Sequence, residues 1–361
     1  MAILLGELGL MTESTSKNTR LISGTFMQLD HWSDSEGARF QREMRLLNED
    51  HWRQMIHDMA AIGIDTLVFQ QCVDNRTGWE NTFSYYPSKK WKKLEWIKGD
   101  TFGAVVDEAG KLGMKIIYGI GTMYTKDPYH FTDDVIEQAK VTASELLELY
   151  GALPSFGGWY WTYEYPPGSV SGRDSLQKIV PEIRKLADCP FMIAPNADRL
   201  MCPTLLQDID VDIVAYQDCV GLGVEPDMFG RHAQADRHHS LHRLPYLYQR
   251  LKFAHDGWCA GEPKLDLSYW NAYFRERGRT AIWNDLEIWE FDHRCTILPT
   301  ELSRVVSQLD LTAPFVEKQI IYQYPGLMQH PDHPVKVGGE RAITLYEDYA
   351  NYRKAVLAGR R

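Results

Sequence analysis

Paired cysteines, long apolar runs and clusters of basic residues are all missing from this sequence. The 361 residues include six cysteines, and no two of them form a Cys-x-x-Cys pair. In a chain of this length, scattered cysteines are typical of reduced, mostly buried thiols in a cytosolic protein rather than of a disulfide framework. We therefore expect a cytoplasmic location.

The same shortages exclude several classes of partner. No uncharged apolar run approaches the ~20 residues that cross a bilayer. The first residues, MAILLGELGL, are interrupted by Glu7 and carry no basic region, which argues against a signal peptide. The net charge of −10, without a Lys/Arg cluster, argues against nucleic acid. We expect no membrane and no nucleic-acid partner, and assembly into a homo-oligomer stays open.

What the sequence does contain is an alternation of short apolar segments and helical patterns. Helical spacing is present at 49–62, 102–112, 133–150 and 174–187, and strand-like segments at 22–28, 66–71, 115–121, 158–164, 191–194, 213–217, 280–283 and 319–323. Short strands that are almost entirely apolar are typical of a parallel sheet covered on both faces. Eight such units predict an α/β fold of the (β/α)8 TIM-barrel class. A Gly-rich phosphate fingerprint is absent after the first segment, which weakens the dinucleotide-binding alternative.

The chain shows no linker or change of composition after residue 20. We therefore predict an N-terminal tail over residues 1–20 and one catalytic barrel domain over residues 21–361. Two connections, 72–100 and 219–279, are long, and in a barrel such connections usually build the rim of the active site.

Functional side chains of a barrel lie at the carboxyl ends of its strands. The residues expected there are mainly carboxylates, amides, hydroxyls and aromatic rings, which hydrogen bond to sugar hydroxyls and stack on C–H faces. The candidates for substrate contact are Gln28, Asp30, Trp32, Gln70, Gln71, Trp79, Tyr124, Tyr163, Asn196, Gln217, Trp283 and Asn284.

Hydrolysis of a sugar linkage needs two carboxyl groups on either side of the bond. The stretch GGWYWTYEYPPG delivers Glu164 at the end of an aromatic strand, and Pro166 and Pro167 stop that strand just beyond it. Partial desolvation there would raise the pKa of Glu164 and suit it to the role of acid. The alternative is a glutamate that pairs with a neighbouring arginine at the top of the barrel.

Two residues compete for the role of second carboxylate. Glu287 is preferred, because Asp285 and Glu287 share the strand face of Ala281 and Trp283. The alternative for Glu287 is exposure to solvent or capping of the next helix. The rival is Asp218, which could be the partner, a water-orienting base or a group that binds a sugar hydroxyl. Its alternative is a turn aspartate before Gly221.

A histidine-rich stretch, RHAQADRHHSLHR, suggests a metal site, with His238 and His242 one helical turn apart. No glutamate lies within the motif in the metalloprotease manner, and Arg237 and Arg243 would repel a cation. We interpret the stretch, which also includes His232 and His239, as a solvated polar loop or helix start. We expect no metal and no cofactor.

The sequence resembles a bacterial family of TIM-barrel proteins catalogued as a domain of unknown function and grouped with glycoside-hydrolase-like barrels. The segments that carry the resemblance are GTFMQLD, IGIDTLVFQQ, FGGWYWTYE, AYQDCVG and IWNDLEIWEF, between about residues 22 and 330. The resemblance implies a barrel with Glu164, Asp218 and Glu287 at its mouth and a carbohydrate substrate. More distantly, acids that end strands 4 and 7 resemble those of the retaining clan A glycosidases. Tyr163 stands where those enzymes usually have an asparagine.

These observations predict a glycoside hydrolase or transglycosylase that acts through paired carboxylates. Glu164 is the expected acid, Glu287 the expected nucleophile or base, and Asp218 the reserve. One alternative is a metal-dependent sugar isomerase or epimerase, in which carboxylates and a histidine bind a divalent ion. Another is a carbohydrate-binding barrel without catalysis.

Overall fold

Eight parallel strands form a closed barrel in the computed structural model, which confirms the predicted (β/α)8 class. The structure describes residues 19–123, 132–164, 170–195, 210–218, 220–221, 280–292, 294–313 and 316–359. Strands β1–β8 span Ile22–Met27, Thr66–Phe69, Lys115–Gly119, Phe156–Trp161, Phe191–Ile193, Ile213–Gln217, Ala281–Glu287 and Lys318–Tyr322. Each strand pairs with the next one in sequence, and β8 closes the ring by pairing with β1.

Helices surround the barrel between the strands and after the last one. In the described ranges, α1–α7 span Gln41–Met44, Glu49–Ala61, Thr101–Lys111, Asp133–Tyr150, Val170–Arg184, Leu302–Thr312 and Gly339–Leu357. Helix α2 begins with a capping box, in which the side chain of Asn48 accepts from the backbone N–H of His51 and His51 accepts in return. No helix among the described residues is both long enough and apolar enough to cross a membrane.

Two insertions extend the carboxyl end of the barrel. The connection after β2 holds a 3-10 helix, Trp79–Asn81, and a small sheet of Val73–Asp74, Phe83–Ser84 and Lys92–Lys93. After β7, Trp289–Phe291 and Ile297–Pro299 form an antiparallel pair. The predicted long connection over 219–279 lies outside the described residues except at 220–221, and residues 1–18 lie outside them too, so the domain boundary at residue 20 stays a prediction.

The barrel separates two apolar clusters. The larger one lies between the outer face of the strands and the helices, and includes Trp159, Trp161 and Leu286. The smaller one fills the barrel interior and consists of Phe26, Val68, Ile117, Tyr160, Met192, Ala194, Ile213, Ala215 and Ile320. Because strand residues alternate between the two faces, each strand contributes to both clusters.

A bulge at the start of β4 determines which side chains of this aromatic strand face inward. Ile116 pairs with Phe156, whereas Ile117 pairs with Gly158, so one extra residue is inserted. Gly158 has a φ of 128°, and a Cβ there would lie 2.2 Å from the carbonyl oxygen of Pro190. Glycine is therefore required at this position. After the bulge, Tyr160 faces the interior, and the same alternation carries Glu164 to the inner side of the rim.

Candidate active site

A pocket of about 210 Å³ opens at the carboxyl end of the barrel. It contains four acids and four aromatic or amide side chains, together with one methionine. The lining residues are Trp32, Glu36, Met123, Glu164, Gln217, Asp285, Glu287, Trp289 and Tyr322. Two cavities of about 630 Å³ each do not include any of these acids: the insertion after β2 and the start of α4 line one, and α2, α3 and the end of α4 line the other.

Glu164 lies three residues beyond the end of β4 and is held by two amides. The side-chain amide of Gln70 donates to Glu164 Oε1 at 3.1 Å, and Gln217 makes a second hydrogen bond to the carboxyl group. Gln217 in turn donates to the carbonyl of Ala194 at 3.0 Å. Burial raises the pKa of Glu164 above its ordinary value, and the two amides lower it by less. The site thus favours a protonated carboxyl group that points into the pocket.

Glu287 is the last residue of β7, and its position is fixed through its backbone. Its N–H donates to Asp218 Oδ1 at 3.2 Å, while its carbonyl accepts from Arg304 Nη2 at 2.9 Å. In the sheet it pairs with Tyr322, the last residue of β8. Both of these side chains therefore leave the barrel at the same level and line the same pocket.

Asp218 lies behind the pocket instead of lining it. Its second carboxylate oxygen accepts from Gln308 of α6 at 2.6 Å, and its first also accepts from the N–H of Val220 at 3.1 Å. Burial raises the pKa of Asp218, and these donors lower it, as does the nearby Arg304. Both oxygens of the Asp218 carboxylate thus accept hydrogen bonds that hold the end of β7 in place.

Asp285 also lines the pocket. It lies two residues before Glu287 on the same inward face of β7, and therefore below it. Its side chain is 2% exposed, and Oδ1 has no hydrogen-bond partner in the described part of the chain. Burial raises the pKa of Asp285 well above its ordinary value, and the nearby charges of Glu287, Asp218 and Glu164 raise it further. Both effects favour the protonated form of this group, which can donate a hydrogen bond.

Glu36 comes from the loop after β1 and completes the set of four acids. Burial raises the pKa of Glu36 to about 7, with a further contribution from the charge of Glu164. Its carbonyl accepts from the N–H of Ile297, at 3.0 Å, in the hairpin after β7. The loop is thereby tied to the opposite insertion.

Tyr322 is held by a saturated set of hydrogen bonds. Its hydroxyl oxygen accepts from Gln28 Nε2 at 2.7 Å and from Trp32 Nε1 at 3.0 Å. His31 Nε2 lies 3.2 Å away on the third side. Nδ1 of the same ring lies 2.9 Å from the carbonyl oxygen of Ser33 and 3.1 Å from the backbone nitrogen of Ser33, so the loop after β1 fixes the ring next to Tyr322. Burial lowers the pKa of His31 to about 4, which keeps the ring neutral.

Several predicted contact residues support the rim from outside the pocket. Asp30 accepts two hydrogen bonds of 2.9 Å from Arg45. Gln71 links two loops, because its amide donates to Asp74 at 3.2 Å and its oxygen accepts from the N–H of Met123 at 3.1 Å. Gln28 and Gln70 position Tyr322 and Glu164. These residues build the scaffold around the pocket.

Three further candidates point away from the pocket. The ring of Tyr163 packs on Trp161 in the outer cluster, with 4.8 Å between ring centroids. Asn284 faces outward and donates to Gln319 Oε1 at 3.1 Å. Trp283 faces inward but pairs with Lys318, the first residue of β8. Four residues along a strand separate it from Glu287, which places it roughly 13 Å below the rim.

Some predicted residues lie outside the described part of the chain. They are Tyr124, Asn196, the side chain of Trp79 and the histidines His232, His238, His239 and His242. Among the residues that are described, no group of three His, Cys, Asp or Glu side chains has a geometry that could hold a metal ion.

Sequence reasoning did not find Glu36, Met123, Trp289 or Tyr322 as pocket residues. Tyr322 had a usable signal, because it alternates with Ile320 on the inner face of β8. Trp289 likewise continues the odd-numbered inner face of β7. Glu36 had no such signal, since its place depends on how the loop after β1 folds against a distant hairpin.

The closed parallel barrel with an acid-rich pocket at its carboxyl end defines a protein of the TIM-barrel class. Residues 22–335 match the family model described as Domain of unknown function (DUF4434), and the chain therefore belongs to this family. The predicted resemblance is confirmed. No protein of curated function is similar enough in sequence to match this chain.

Solved structures share the fold at low sequence identity. One is a proposed alpha-L-fucosidase from Bacteroides thetaiotaomicron VPI-5482, with 18% identity, a TM-score of 0.65 and coverage of 98% of this chain and 99% of that chain. Another is a glycoside hydrolase family 5 protein from Bacteroides vulgatus ATCC 8482, with 12% identity, a TM-score of 0.50 and coverage of 86% and 64%. At these identities the likeness establishes the barrel architecture.

Proposed function

We propose that this protein cleaves or transfers a glycosidic bond, with Glu164 as the acid and Glu287 as the nucleophile or base. The observation that carries the proposal is that both carboxyl groups line one small pocket at the carboxyl ends of β4 and β7. Carboxyl groups on two sides of a bound sugar are what glycoside hydrolysis requires.

Glu164 suits the acid role because its environment favours the protonated form. Burial raises the pKa of Glu164, and its hydrogen bonds come from neutral amides instead of a cation. In the proposed step, Glu164 gives its proton to the glycosidic oxygen as the bond from that oxygen to the anomeric carbon breaks. The amide contacts of Gln70 and Gln217 fix the carboxyl group for this transfer.

Glu287 suits the second role because its backbone is clamped on both sides. Its electrons would form the new bond to the anomeric carbon, or it would take a proton from a water that attacks this carbon. Asp218, the reserve candidate, contributes by holding the N–H of Glu287 at 3.2 Å. We therefore propose Asp218 as a positioning residue for Glu287.

The remaining lining residues suit a sugar ring. Trp32, Trp289 and Tyr322 present aromatic surfaces that can pack on the C–H faces of a sugar. The pocket volume of about 210 Å³ is below the ~300–1,000 Å³ of drug-sized sites, which favours one sugar residue at the reaction centre.

The experiment that tests this function is a screen of aryl glycosides and oligosaccharides, with product anomers followed by NMR. We expect release of a reducing sugar or a transfer product from at least one compound. Retention would indicate carboxyl groups about 5–5.5 Å apart, and inversion about 6.5–9.5 Å. Sugar binding without turnover of any compound would favour a binding protein, and turnover that a chelator abolishes would favour a metal-dependent enzyme.

A further inference from the structure

The pocket contains four carboxyl groups, and a glycosidase reaction uses two of them. Glu164 and Glu287 have proposed roles, which leaves Glu36 and Asp285 without one. No lysine, arginine or histidine is among the residues that line the pocket in the described part of the chain. Four carboxyl groups facing a small space with no basic residue provide more polar groups than a ligand that contacts only Glu164 and Glu287 would need.

Asp285 indicates that this environment is arranged for a ligand. The side chain is 2% exposed and lines the pocket, yet its Oδ1 has no hydrogen-bond partner within the described ranges. An unsatisfied buried polar atom costs about 1–3 kcal/mol. Such an atom is explained when a bound molecule supplies the missing hydrogen bond.

Glu36 shows the same feature at the edge of the pocket. Its carboxyl group makes no hydrogen bond or ion pair with any described residue, although its loop is firmly held. Next to it, Arg39 donates to Thr296 at 3.1 Å and forms a salt bridge with Asp292. The carbonyl of Glu36 is bound by Ile297 at 3.0 Å. The carboxyl group is thus presented by a fixed backbone and has no partner of its own.

We propose that the pocket selects an amino sugar, whose protonated amino group pairs with Glu36 while Asp285 hydrogen bonds to a neighbouring hydroxyl. This inference rests on the proposed function for the placement of the sugar between Glu164 and Glu287. A charge-assisted hydrogen bond to a preorganised carboxylate is stronger than one between neutral groups. Sugars with a carboxylate, sulfate or phosphate group would meet Glu36 and no basic residue among the described lining residues, and should bind poorly.

Binding measurements test the inference without requiring turnover. The probes are methyl glycosides in gluco, galacto and manno configuration, each as the 2-hydroxy, 2-amino and 6-amino compound, together with methyl glucuronide. Calorimetry or ligand-observed NMR gives the ratio of association constants between each amino compound and its hydroxy counterpart. For at least one configuration we expect a ratio of about ten or more, and no binding of the glucuronide.

The substitution Glu36→Gln should reduce this ratio to about three or less. Glu36→Asp keeps the charge and should retain part of the preference. Glu347→Gln is the matched control, because Glu347 is an exposed residue of α7 and its loss changes the net charge equally. That variant should keep the full ratio.

The results separate this inference from the proposed function. If the protein prefers amino sugars through Glu36 but hydrolyses no glycoside, the inference is supported and the proposed glycosidase function is contradicted. Hydrolysis of neutral glycosides without any amino preference would support the function and overturn the inference. A preference unchanged by Glu36→Gln, or no binding of any amino sugar, would also overturn it.

Discussion

Two groups of buried acids lie at the same end of this barrel and have opposite surroundings. Asp30 and Asp74 are 2% and 3% exposed and are bridged by Arg76, which lies 3.2 Å from Asp30 and donates from Nε to Asp74 at 2.9 Å. The pocket acids Glu164 and Asp285 are contacted by amides or by nothing among the described residues. We call the first group the paired acids and the second the pocket acids.

The presence or absence of a neighbouring cation distinguishes the two groups of buried carboxylates at this end of the barrel. Burial raises the pKa of Asp30 to about 6 even though Arg45 and Arg76 lower it. Burial of a carboxylate is costly, and a hydrogen-bonded cation offsets the cost. In the pocket no described cation does so, and the acids remain as groups with perturbed pKa values in a cleft. This combination is typical of functional sites.

The largest expected effect is on turnover when either proposed catalytic carboxyl group is replaced. Glu164→Gln and Glu287→Gln should each lower kcat by a factor of roughly 10²–10⁴, because proton transfer or bond formation at the sugar is lost. Steady-state kinetics on a glycoside found by the screen measures this, with Glu347→Gln as the control. The fold should persist, since glutamine keeps the size and shape of each glutamate side chain.

The pH profile adds a second readout for the acid. Since burial raises the pKa of Glu164 above its ordinary value, the proton donor should stay protonated to a higher pH than a free glutamate, and kcat/KM should fall as the group ionises. This alkaline limb should be altered in Glu164→Gln. Full activity in either glutamine variant would remove that residue from the mechanism.

The next effect is on stability when a paired acid loses its cation. Arg76→Met leaves Asp74 buried without its cation, while Asp30 keeps Arg45, and should lower the free energy of unfolding by about 3–5 kcal/mol. Urea denaturation measures the change. Arg53→Met is the matched control, because Arg53 pairs at 2.8 Å with Asp107, which is 53% exposed, and the loss there should be about 1 kcal/mol or less. Equal losses in the two variants would contradict the distinction between paired and exposed acids.

Much of this architecture could be predicted from the sequence because periodicity reports burial directly. Eight short apolar segments in a βα alternation predict a parallel barrel, and the structure contains all eight as strands. The predicted ends of the strands were less accurate. The seventh strand continues to Glu287, four residues beyond the predicted end at Trp283, because polar residues on its inner face still pair with β8.

The candidate site was predictable only where it follows strand alternation. Glu164 and Glu287 lie at strand ends, so the parity of β4 and β7 predicts that they face inward. Trp283 has the correct parity but the wrong height, and Asn284 has the wrong parity for the pocket. Neither height nor loop conformation is encoded in a local pattern.

Glu36 illustrates why loop conformation could not be predicted from a local sequence pattern. Its place in the pocket depends on hydrogen bonds between the loop after β1 and the hairpin after β7, which are about 260 residues apart in the chain. Such contacts arise from tertiary packing, so single-sequence patterns do not predict them.

The smallest expected effect is a change in the pH dependence of stability at Asp285. The pKa of Asp285 is raised in the folded protein, so the native state binds more protons than the unfolded state above pH 4. The contribution of this one group to stability therefore falls as pH rises from about 4 toward the raised pKa. Asp285→Asn removes that contribution, and its stability relative to wild type should increase over the same range.

Urea denaturation at pH 4, 5, 6 and 7 measures the difference in slope between the two proteins. Asp348→Asn, on the exposed face of α7, is the control that should follow the wild type. If Asp285→Asn instead runs parallel to wild type, Asp285 is ionised in the folded protein and has found a cation. The pocket acids would then resemble the paired acids, and the contrast between the two groups would no longer distinguish site from scaffold.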